Sequence, residues 1–159
     1  MIAGKLDDID TRILHILQED CSIDVARLAQ LVNRTPNPVH ERIRKLVDLG
    51  YIKKFTAVLD RVLIEQPVLV ILMVELKEQN TGQMAEFEQL MCALPEVQSC
   101  LLVSGSWNFI LQVTATTPQA YAVWLMENVT IHPNIGHVES AFLMREGKNY
   151  GSFHLEEKH

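Results

Sequence analysis

Apolar residues recur at helical spacing in three successive stretches of the N-terminal third. The first stretch covers residues 8–19, where acidic residues at the start favour the positive end of a helix dipole. A second helix is predicted over residues 25–32, with Asp24 as its N-terminal cap. Thr35 and Pro36 then begin a third helix, because threonine caps helices and proline suits their first turn. The third helix carries an apolar stripe and ends before a glycine: Val39, Ile43, Leu46, Val47 and Gly50.

The joint between the second and third predicted helices is only about three residues long. Asn33 suits the left-handed conformation of a tight helix stop, and the small Ala29 permits close approach of two helices. Residues 51–59 are rich in β-branched and aromatic side chains, which predicts a strand directly after the third helix. We therefore predict a winged helix-turn-helix domain over residues 1–59. The alternative is a three-helix cap on a larger fold.

The rest of the chain alternates between strand and helix patterns. Residues 60–66 are the predicted hinge, and residues 67–159 are the predicted second domain. Its elements are strand 68–76, helix 83–93, strands 97–104 and 108–115, helix 118–128 and strand 136–145. This βαββαβ order is the ferredoxin-like motif, so the fold class is α+β. Two helices leave one apolar face of the sheet uncovered, which predicts pairing with a second copy.

The charge distribution divides the chain into two parts. Residues 27–54 contain seven basic and two acidic residues, a net charge of +5. Residues 61–159 contain five basic and eleven acidic residues, a net charge of −6. A small basic region on an otherwise acidic chain predicts contact with a polyanion such as double-stranded DNA.

Several other functional classes are disfavoured by the composition. The longest apolar run, residues 67–74, is shorter than the ~20 residues of a membrane span, and the N-terminus lacks the pattern of a signal peptide. Cys21, Cys92 and Cys100 have apolar neighbours and no CxxC spacing, so buried free thiols in a reducing cytoplasm are expected. His132 and His137 lack partners at metal-ligand spacing, so neither a metal nor a cofactor is predicted.

The third helix is the predicted reader of the DNA major groove. Asparagine and arginine can each make paired hydrogen bonds to base edges, so Asn37, His40 and Arg44 are predicted near the bases. Contacts to phosphates are predicted for Arg34, Thr35, Lys45, Lys53 and Lys54. Each lysine could instead be a solvated surface charge. Arg42 is interpreted as structural, through an ion pair with Asp8 or Asp10 of the first helix.

The chain resembles the Lrp/AsnC family, the leucine-responsive or feast/famine regulators of bacteria and archaea. The resemblance covers about residues 6–147 in length and element order, and its matching stretches are residues 6–14, 28–29, 35–39, 42–46, 50–52, 103–105 and 109–111. It implies a transcriptional regulator that dimerises through its C-terminal domain. It also implies that four dimers can form a disc-shaped octamer and that an amino acid binds at a junction between dimers.

The predicted effector site combines a hairpin with the last strand. Glycine and small residues leave backbone N–H groups free, which suits a carboxylate ligand. The predicted residues are Ser104, Gly105, Ser106, Trp107, Asn108, Gly136, His137 and Ser140. In the family this hairpin usually reads Gly-Asp-aromatic-Asp, whereas here both carboxylates are absent. Asn33 and Arg34 also replace the usual glycine and apolar residue. The alternative reading of the hairpin is a plain β-turn with interface packing.

Two other functions remain as alternatives. Siroheme decarboxylases look like this family and typically carry a His-Arg pair after the wing, whereas residues 57–62 here contain no histidine. No Ser-His-Asp set or phosphate loop appears elsewhere in the sequence, which disfavours an enzyme. The second alternative is a co-regulator that has lost DNA binding. Such a protein would be expected to lose part of the net charge of +5 over residues 27–54, and this chain retains it.

Overall fold

The chain folds into two compact units in a computed structural model that describes residues 6–148 and 151–156. Unit 1 comprises Met1–Val58 together with Lys148–His159, and unit 2 comprises Leu59–Gly147. The chain passes from unit 1 to unit 2 within one residue of the predicted end of the first domain. The C-terminal segment differs from expectation, because we placed it in the second domain and it groups with the first.

Three helices form unit 1 at nearly the predicted positions: α1 (Asp8–Glu19), α2 (Val25–Leu31) and α3 (Pro36–Asp48). Asp7 caps α1 in a capping box, in which the Asp10 N–H donates to Asp7 Oδ1 at 2.8 Å and the Asp7 N–H donates to Asp10 Oδ2 at 3.4 Å. Asp24 and Thr35 occupy the N-cap positions of α2 and α3 with extended backbones. Neither side chain accepts a capping hydrogen bond, so both residues lie at the predicted N-cap positions without making the hydrogen bond of a cap.

The turn between α2 and α3 has the predicted tight geometry. Asn33 adopts a left-handed φ of 54°, and the Arg34 N–H donates to the Ala29 carbonyl oxygen at 2.9 Å. Ala29 is buried, where its small side chain lets the helices approach. The core beneath the turn consists of Ile13, Leu14, Leu28, Ala29, Val32, Val39 and Leu46. The predicted stripe of α3 is narrower than expected, since Ile43 is only half-buried and Val47 is 41% exposed.

The predicted wing strand is wrong for this single chain. Residues 52–60 contain no strand, and the described part of unit 1 provides no strand beside them. A strand needs a partner for its backbone hydrogen bonds, so strand propensity alone cannot form one. The first residues of this segment close the C-terminal end of α3 instead, because the N–H groups of Tyr51 and Ile52 both donate to the Leu46 carbonyl oxygen.

The C-terminal segment of unit 1 packs along α1. The Phe153 N–H donates to Gln18 Oε1 at 2.8 Å, and His15 Nε2 lies 2.8 Å from the Leu155 carbonyl oxygen. Leu155 is half-buried against the core of the three helices, whereas Phe153 is 79% exposed. Sequence analysis gave no indication of this contact, because the segment has no periodic pattern.

Unit 2 has the predicted βαββαβ order. Its elements are β1 (Val68–Leu76), α4 (Thr81–Cys92), β2 (Val97–Leu102), β3 (Phe109–Ala115), α5 (Pro118–Leu125) and β4 (Ile135–Phe142). A π-helical segment, Met126–Thr130, follows α5. The four strands form an antiparallel sheet in the order β2-β3-β1-β4. The ferredoxin-like prediction is therefore confirmed.

Both helices of unit 2 cover the same face of the sheet. Val70, Leu72 and Val74 of β1 are fully buried beneath them, in one cluster with residues of α4 and α5. The rings of Phe87 and Phe109 lie 4.9 Å apart at the centre of this cluster. Because strand side chains alternate between faces, Ile71 and Met73 lie on the opposite face and are half-buried.

The predicted hinge is a turn within unit 2. Asp60 Oδ1 accepts from the N–H groups of Val62 and Leu63, and Arg61 forms an ion pair with Glu146 at 2.9 Å. Within the described ranges, no helix has the length and apolar character needed to cross a membrane. The expectation of buried thiols is wrong for Cys21 and Cys92, which are exposed, and Cys100 is half-buried.

Candidate DNA-binding and effector sites

The outer face of α3 presents the predicted DNA-binding residues to solvent. Val39 and Leu46 anchor the helix in the core, so the opposite face must point outward. All eight predicted contacts are exposed: Arg34, Thr35, Asn37, His40, Arg44, Lys45, Lys53 and Lys54. The first six lie on α3 or just before it, and the two lysines lie in the irregular segment after it. Unit 1 therefore carries an exposed basic surface on a helix with a fixed orientation.

Arg42 belongs to the packing of α1 against α3. Its Nη1 lies 2.6 Å from Asp7 Oδ2 and 2.6 Å from Asp10 Oδ1, so it ties α3 to the first turn of α1. The hydrogen bonds that Arg42 donates to Asp7 and Asp10 raise the pKa of Arg42 above its usual value. Burial acts to raise the pKa of Asp7, but hydrogen bonds from the Asp10 backbone and Arg42 outweigh it, so this pKa is lowered. The predicted pairing with Asp10 is confirmed, and Asp7 takes the place proposed for Asp8.

Arg44 and Glu41 form a loose pair on the exposed face of α3. Their charged atoms lie 4.0 Å apart, and both side chains are about 70% exposed. Ion pairs of this kind contribute roughly 0–1 kcal/mol, so Glu41 does not hold Arg44 in place. The Arg34 guanidinium donates a 2.9 Å hydrogen bond to the adjacent Asn33 carbonyl oxygen, and its side chain is exposed. Both guanidinium groups can therefore reorient toward a polyanion at little cost.

The hairpin and β4 meet at an aromatic stack. The rings of Trp107 and His137 are nearly parallel, with centroids 5.4 Å apart and an interplanar angle of 22°. The exposed turn before them comprises Ser104, Gly105 and Ser106, and Gly105 has a φ of +126° that favours glycine. The structure therefore brings these five predicted effector residues to one end of the sheet.

Asn108 is a structural residue of this site. It is buried, its Oδ1 accepts from the Leu76 N–H at 2.8 Å, and its own N–H donates to the Val74 carbonyl oxygen at 2.9 Å. These bonds hold the hairpin to β1 where the register with β4 shifts between Glu75 and Leu76. The side chain is thus committed to shaping the site, which sequence position alone did not reveal.

Gly136 permits a close approach of β4 to β1 at the same irregularity. A Cβ atom there would lie 3.2 Å from the Glu75 carbonyl oxygen and 3.3 Å from the Lys77 nitrogen. Any larger residue would push the strands apart beside His137. Gly136 therefore supports the site through the backbone.

Ser140 does not join the predicted site. Its Oγ lies 2.6 Å from the Tyr121 hydroxyl of α5, so it faces the helices. His137 lies an odd number of residues away and therefore points to the opposite face. Burial raises the pKa of Tyr121, and the hydrogen bond with Ser140 partly offsets this effect. We had grouped Ser140 with His137 by proximity in sequence, and strand alternation separates them.

Glu75 is a residue of this site that sequence analysis missed. It is the cross-strand partner of His137 and lies half-buried on the open face of the sheet. The available signal was a single carboxylate at the end of an otherwise apolar strand. In residues 6–148 and 151–156, no group of three or more His, Cys, Asp or Glu side chains could hold a metal ion.

Two family models match the chain, one in each half. Residues 6–47 match the AsnC-type helix-turn-helix domain, and residues 69–153 match the Lrp/AsnC ligand binding domain. The first match covers α1, α2 and most of α3, and the second covers the sheet and helices of unit 2.

Similar proteins align over nearly the whole chain. Transcriptional regulator AzlB of Bacillus subtilis is 28% identical over 96% of this chain and 97% of its own. The leucine-responsive regulatory protein of Salmonella typhimurium is 34% identical over 91% of this chain and 89% of its own. A transcriptional regulator of Neisseria meningitidis, solved as a complex with L-Met, has the same fold, with a TM-score of 0.87. It is 24% identical, and the match covers 94% of this chain and 96% of that chain.

Proposed function

Since this chain belongs to the Lrp/AsnC family of transcriptional regulators, we propose that α3 binds in the major groove of double-stranded DNA. One observation supports this function most strongly. The outer face of α3 is polar, basic and exposed, whereas its inner face is fixed in the core by Val39 and Leu46. A helix held in this way can present side chains to base edges in a fixed register.

The eight exposed residues have two kinds of role in this proposal. Asn37, His40 and Arg44 contact bases, because the amide and guanidinium groups match the edges of adenine and guanine. The other five bind phosphates and set the orientation of the helix: Arg34, Thr35, Lys45, Lys53 and Lys54. Glu41 lies among them and lowers the local charge by one.

The protein acts as a homodimer in this proposal, and the open face of the sheet forms the interface. Ile71, Met73, Ile110 and Leu101 place apolar side chains on this face, and Leu101 is 53% exposed. A second copy would remove this surface from water. Two copies of α3 would then read two half-sites at a fixed spacing. By resemblance to the family, we also propose that four such dimers can associate into an octamer.

The effector is a small molecule with a carboxylate, such as an amino acid. The turn at residues 104–106 offers backbone N–H groups, and Trp107 with His137 forms a flat aromatic wall beside it. The Neisseria meningitidis regulator with this fold was solved with L-Met, which supports an amino acid as the class of ligand. Ser106 and Asn108 replace the two acidic residues that the family's hairpin usually carries. Glu75 therefore provides the carboxylate of the proposed effector site.

A regulator is favoured over a siroheme-decarboxylase-like enzyme. The relatives described above are named as regulators, among them AzlB and the leucine-responsive regulatory protein. In addition, residues 57–62 offer no histidine for a heme-binding cleft.

Genomic footprinting with the full-length protein tests the function. The protein is mixed with fragments of its own genome at low ionic strength, with and without each of the twenty amino acids. Protected promoter sites are expected, and one or more amino acids should change their pattern. Absence of protected sites would contradict DNA binding, whereas sites that ignore every amino acid would contradict only the proposed ligand.

A further inference from the structure

Arg12 of α1 reaches across to the end of α2. Its Nη2 donates to the carbonyl oxygen of Leu31, the last residue of α2, at 3.0 Å. The two residues are 19 positions apart in the sequence, so this bond joins two different helices. Arg12 lies outside the predicted DNA-binding set, and its guanidinium acts within unit 1, on the backbone of a neighbouring helix.

The bond from Arg12 completes the C-terminal end of α2. The last carbonyl groups of a helix have no partner within the helix, so their partners come from elsewhere. Residues that follow α2 supply three backbone N–H donors, and the pairs of donor and acceptor are Val32 to Leu28, Asn33 to Gln30 and Arg34 to Ala29. Arg12 supplies the donor for Leu31. A cation at this position also interacts favourably with the negative end of the helix dipole.

The turn that follows α2 depends on such bonds because its backbone is unfavourable. Asn33 has a left-handed φ of 54°, a conformation that glycine adopts readily and a residue with a side chain does not. The family usually carries a glycine at this position. A non-glycine residue keeps this conformation where the surrounding structure fixes it. The Arg34 N–H fixes the turn through Ala29 at 2.9 Å, and Arg12 fixes the end of the helix from which the turn departs.

We propose that Arg12 is a positioning residue for DNA binding, which holds the turn so that Arg34 and Thr35 face the phosphates. Arg34 lies in this turn, and Thr35 is the N-cap residue of α3 directly after it. The inference rests on the proposed function, in which both residues bind phosphates. α3 is anchored separately in the helical core. Loss of the Arg12 contact should therefore loosen the turn and leave the face that reads bases in place.

Amide hydrogen exchange in the full-length protein without DNA tests the effect on the turn. The Arg34 N–H bonds to the Ala29 carbonyl oxygen, so its exchange rate reports how often the turn opens. In Arg12→Ala we expect this rate to rise about threefold to tenfold, the factor that corresponds to one hydrogen bond of ordinary strength. The Leu46 N–H, within α3, should keep its rate, which would show that the opening is local.

Arg27→Ala is the matched control for this measurement. Arg27 is an exposed arginine of α2, and its guanidinium donates to the side chain of Gln30 rather than to a backbone carbonyl. Its removal takes the same charge from the same unit and should leave the Arg34 exchange rate unaltered. Arg12→Lys retains a cation of similar length and should restore most of the protection. An unchanged rate in Arg12→Ala, or an equal rise in Arg27→Ala, would overturn the proposal.

A double-mutant cycle on a protected DNA fragment, at fixed salt, tests whether Arg12 acts through Arg34. Arg12→Ala alone should weaken binding by about threefold to tenfold, as in the exchange measurement. In an Arg34→Ala background the same change should weaken binding by at most about twofold, because the side chain that Arg12 positions is absent. A merely structural contribution, or a direct contact of Arg12 with DNA, would give the same loss in both backgrounds. Equal losses, or no loss in the single variant, would contradict the assignment.

The two measurements separate this inference from the proposed function. If the unchanged protein protects no DNA, the proposed function fails. The exchange rates of the Arg34 N–H in Arg12→Ala and Arg27→Ala still decide whether Arg12 holds the turn.

Discussion

Arg42 and Arg44 lie two positions apart on α3 and carry the same charge, yet they face opposite environments. Arg42 is held by Asp7 and Asp10 at 2.6 Å each, whereas Arg44 is 69% exposed beside a distant Glu41. The difference follows from the helical period, because Arg42 lies near the buried stripe and Arg44 does not. Their substitutions should therefore separate folding from recognition.

Arg44→Ala should weaken binding to the protected DNA sites by about 1–3 kcal/mol and relax their sequence preference. The loss comes from paired hydrogen bonds to a base edge, since the loose contact with Glu41 contributes little to stability. Fluorescence anisotropy at fixed salt measures the affinity. Arg145→Ala removes the same charge from an exposed position in unit 2 and should leave binding unchanged. Equal losses for the two variants would remove Arg44 from the reading surface.

Arg42→Gln should destabilise unit 1 by about 1 kcal/mol, because it leaves two carboxylates without their cation. The same contact predicts a dependence on pH. The pKa of Asp7 is lowered in the folded state, so its stabilising effect is complete above the unfolded-state pKa of about 3.9. It is lost as the pH falls through the folded-state value. Urea unfolding measured between about pH 6 and pH 3 spans this pKa. The free energy of unfolding should fall less toward pH 3 in Asp7→Asn than in the unchanged protein. Parallel acid profiles for the two proteins would contradict this role.

The residue assignments in the effector region show the limit of sequence reasoning. Trp107 and His137 were predicted to share a site, and the structure stacks their rings. Asn108 looked like a ligand-binding residue because it follows the turn, but burial commits its amide to the backbone of β1. That outcome depends on which strand lies beside the hairpin, and one sequence does not contain this information.

At the scale of elements, the local pattern succeeded wherever an element could be stabilised by its own neighbours. The helices of unit 1 and all four strands of unit 2 lie within a few residues of their predicted bounds. The predicted strand at residues 51–59 failed although its composition was favourable, because the described chain places no partner beside it. Ser140 was misplaced for a related reason, since alternation along β4 was not applied to the site.

Met73→Glu should dissociate the proposed dimer. Met73 lies at the centre of the open sheet face, with Ile110 and Glu139 as its partners on the adjacent strands. Two buried unpaired carboxylates would weaken association roughly ten-thousandfold or more, since each uncompensated charge costs roughly 3–5 kcal/mol. Sedimentation velocity measures the oligomeric state. Met144→Glu changes a 93% exposed residue outside the sheet and should leave it unaltered. A dimer that tolerates Met73→Glu would show that another surface holds the two copies.

At the scale of the whole molecule, unit 2 is an insertion in unit 1. The chain leaves unit 1 after Val58 and returns at Lys148, so two covalent connections join the units. Sequence analysis described a linear arrangement of two domains, because no pattern in the last residues indicates where they pack. Hydrogen bonds to Gln18 and burial of Leu155 stabilise this return.

Leu155→Ala should lower the stability of unit 1 by about 1–2 kcal/mol, because it removes half-buried apolar surface from the helical core. Phe153→Ala is the matched control, since Phe153 is 79% exposed and contributes through its backbone N–H. Differential scanning calorimetry of the two variants should show a lower transition only for the first. A transition temperature of Leu155→Ala equal to that of the unchanged protein would mean that the Leu155 side chain adds nothing to the helical core.

The return of the chain also determines what an optical probe would report. Ser152 lies late in the sequence, yet its hydroxyl bonds to the Glu19 carboxylate at the end of α1. A dye attached to a cysteine introduced at position 152, in a protein without its native thiols, would report on the surroundings of unit 1, which carries α3. A change in its emission when an amino acid is added would therefore register communication from one unit to the other, and not the arrival of the ligand itself.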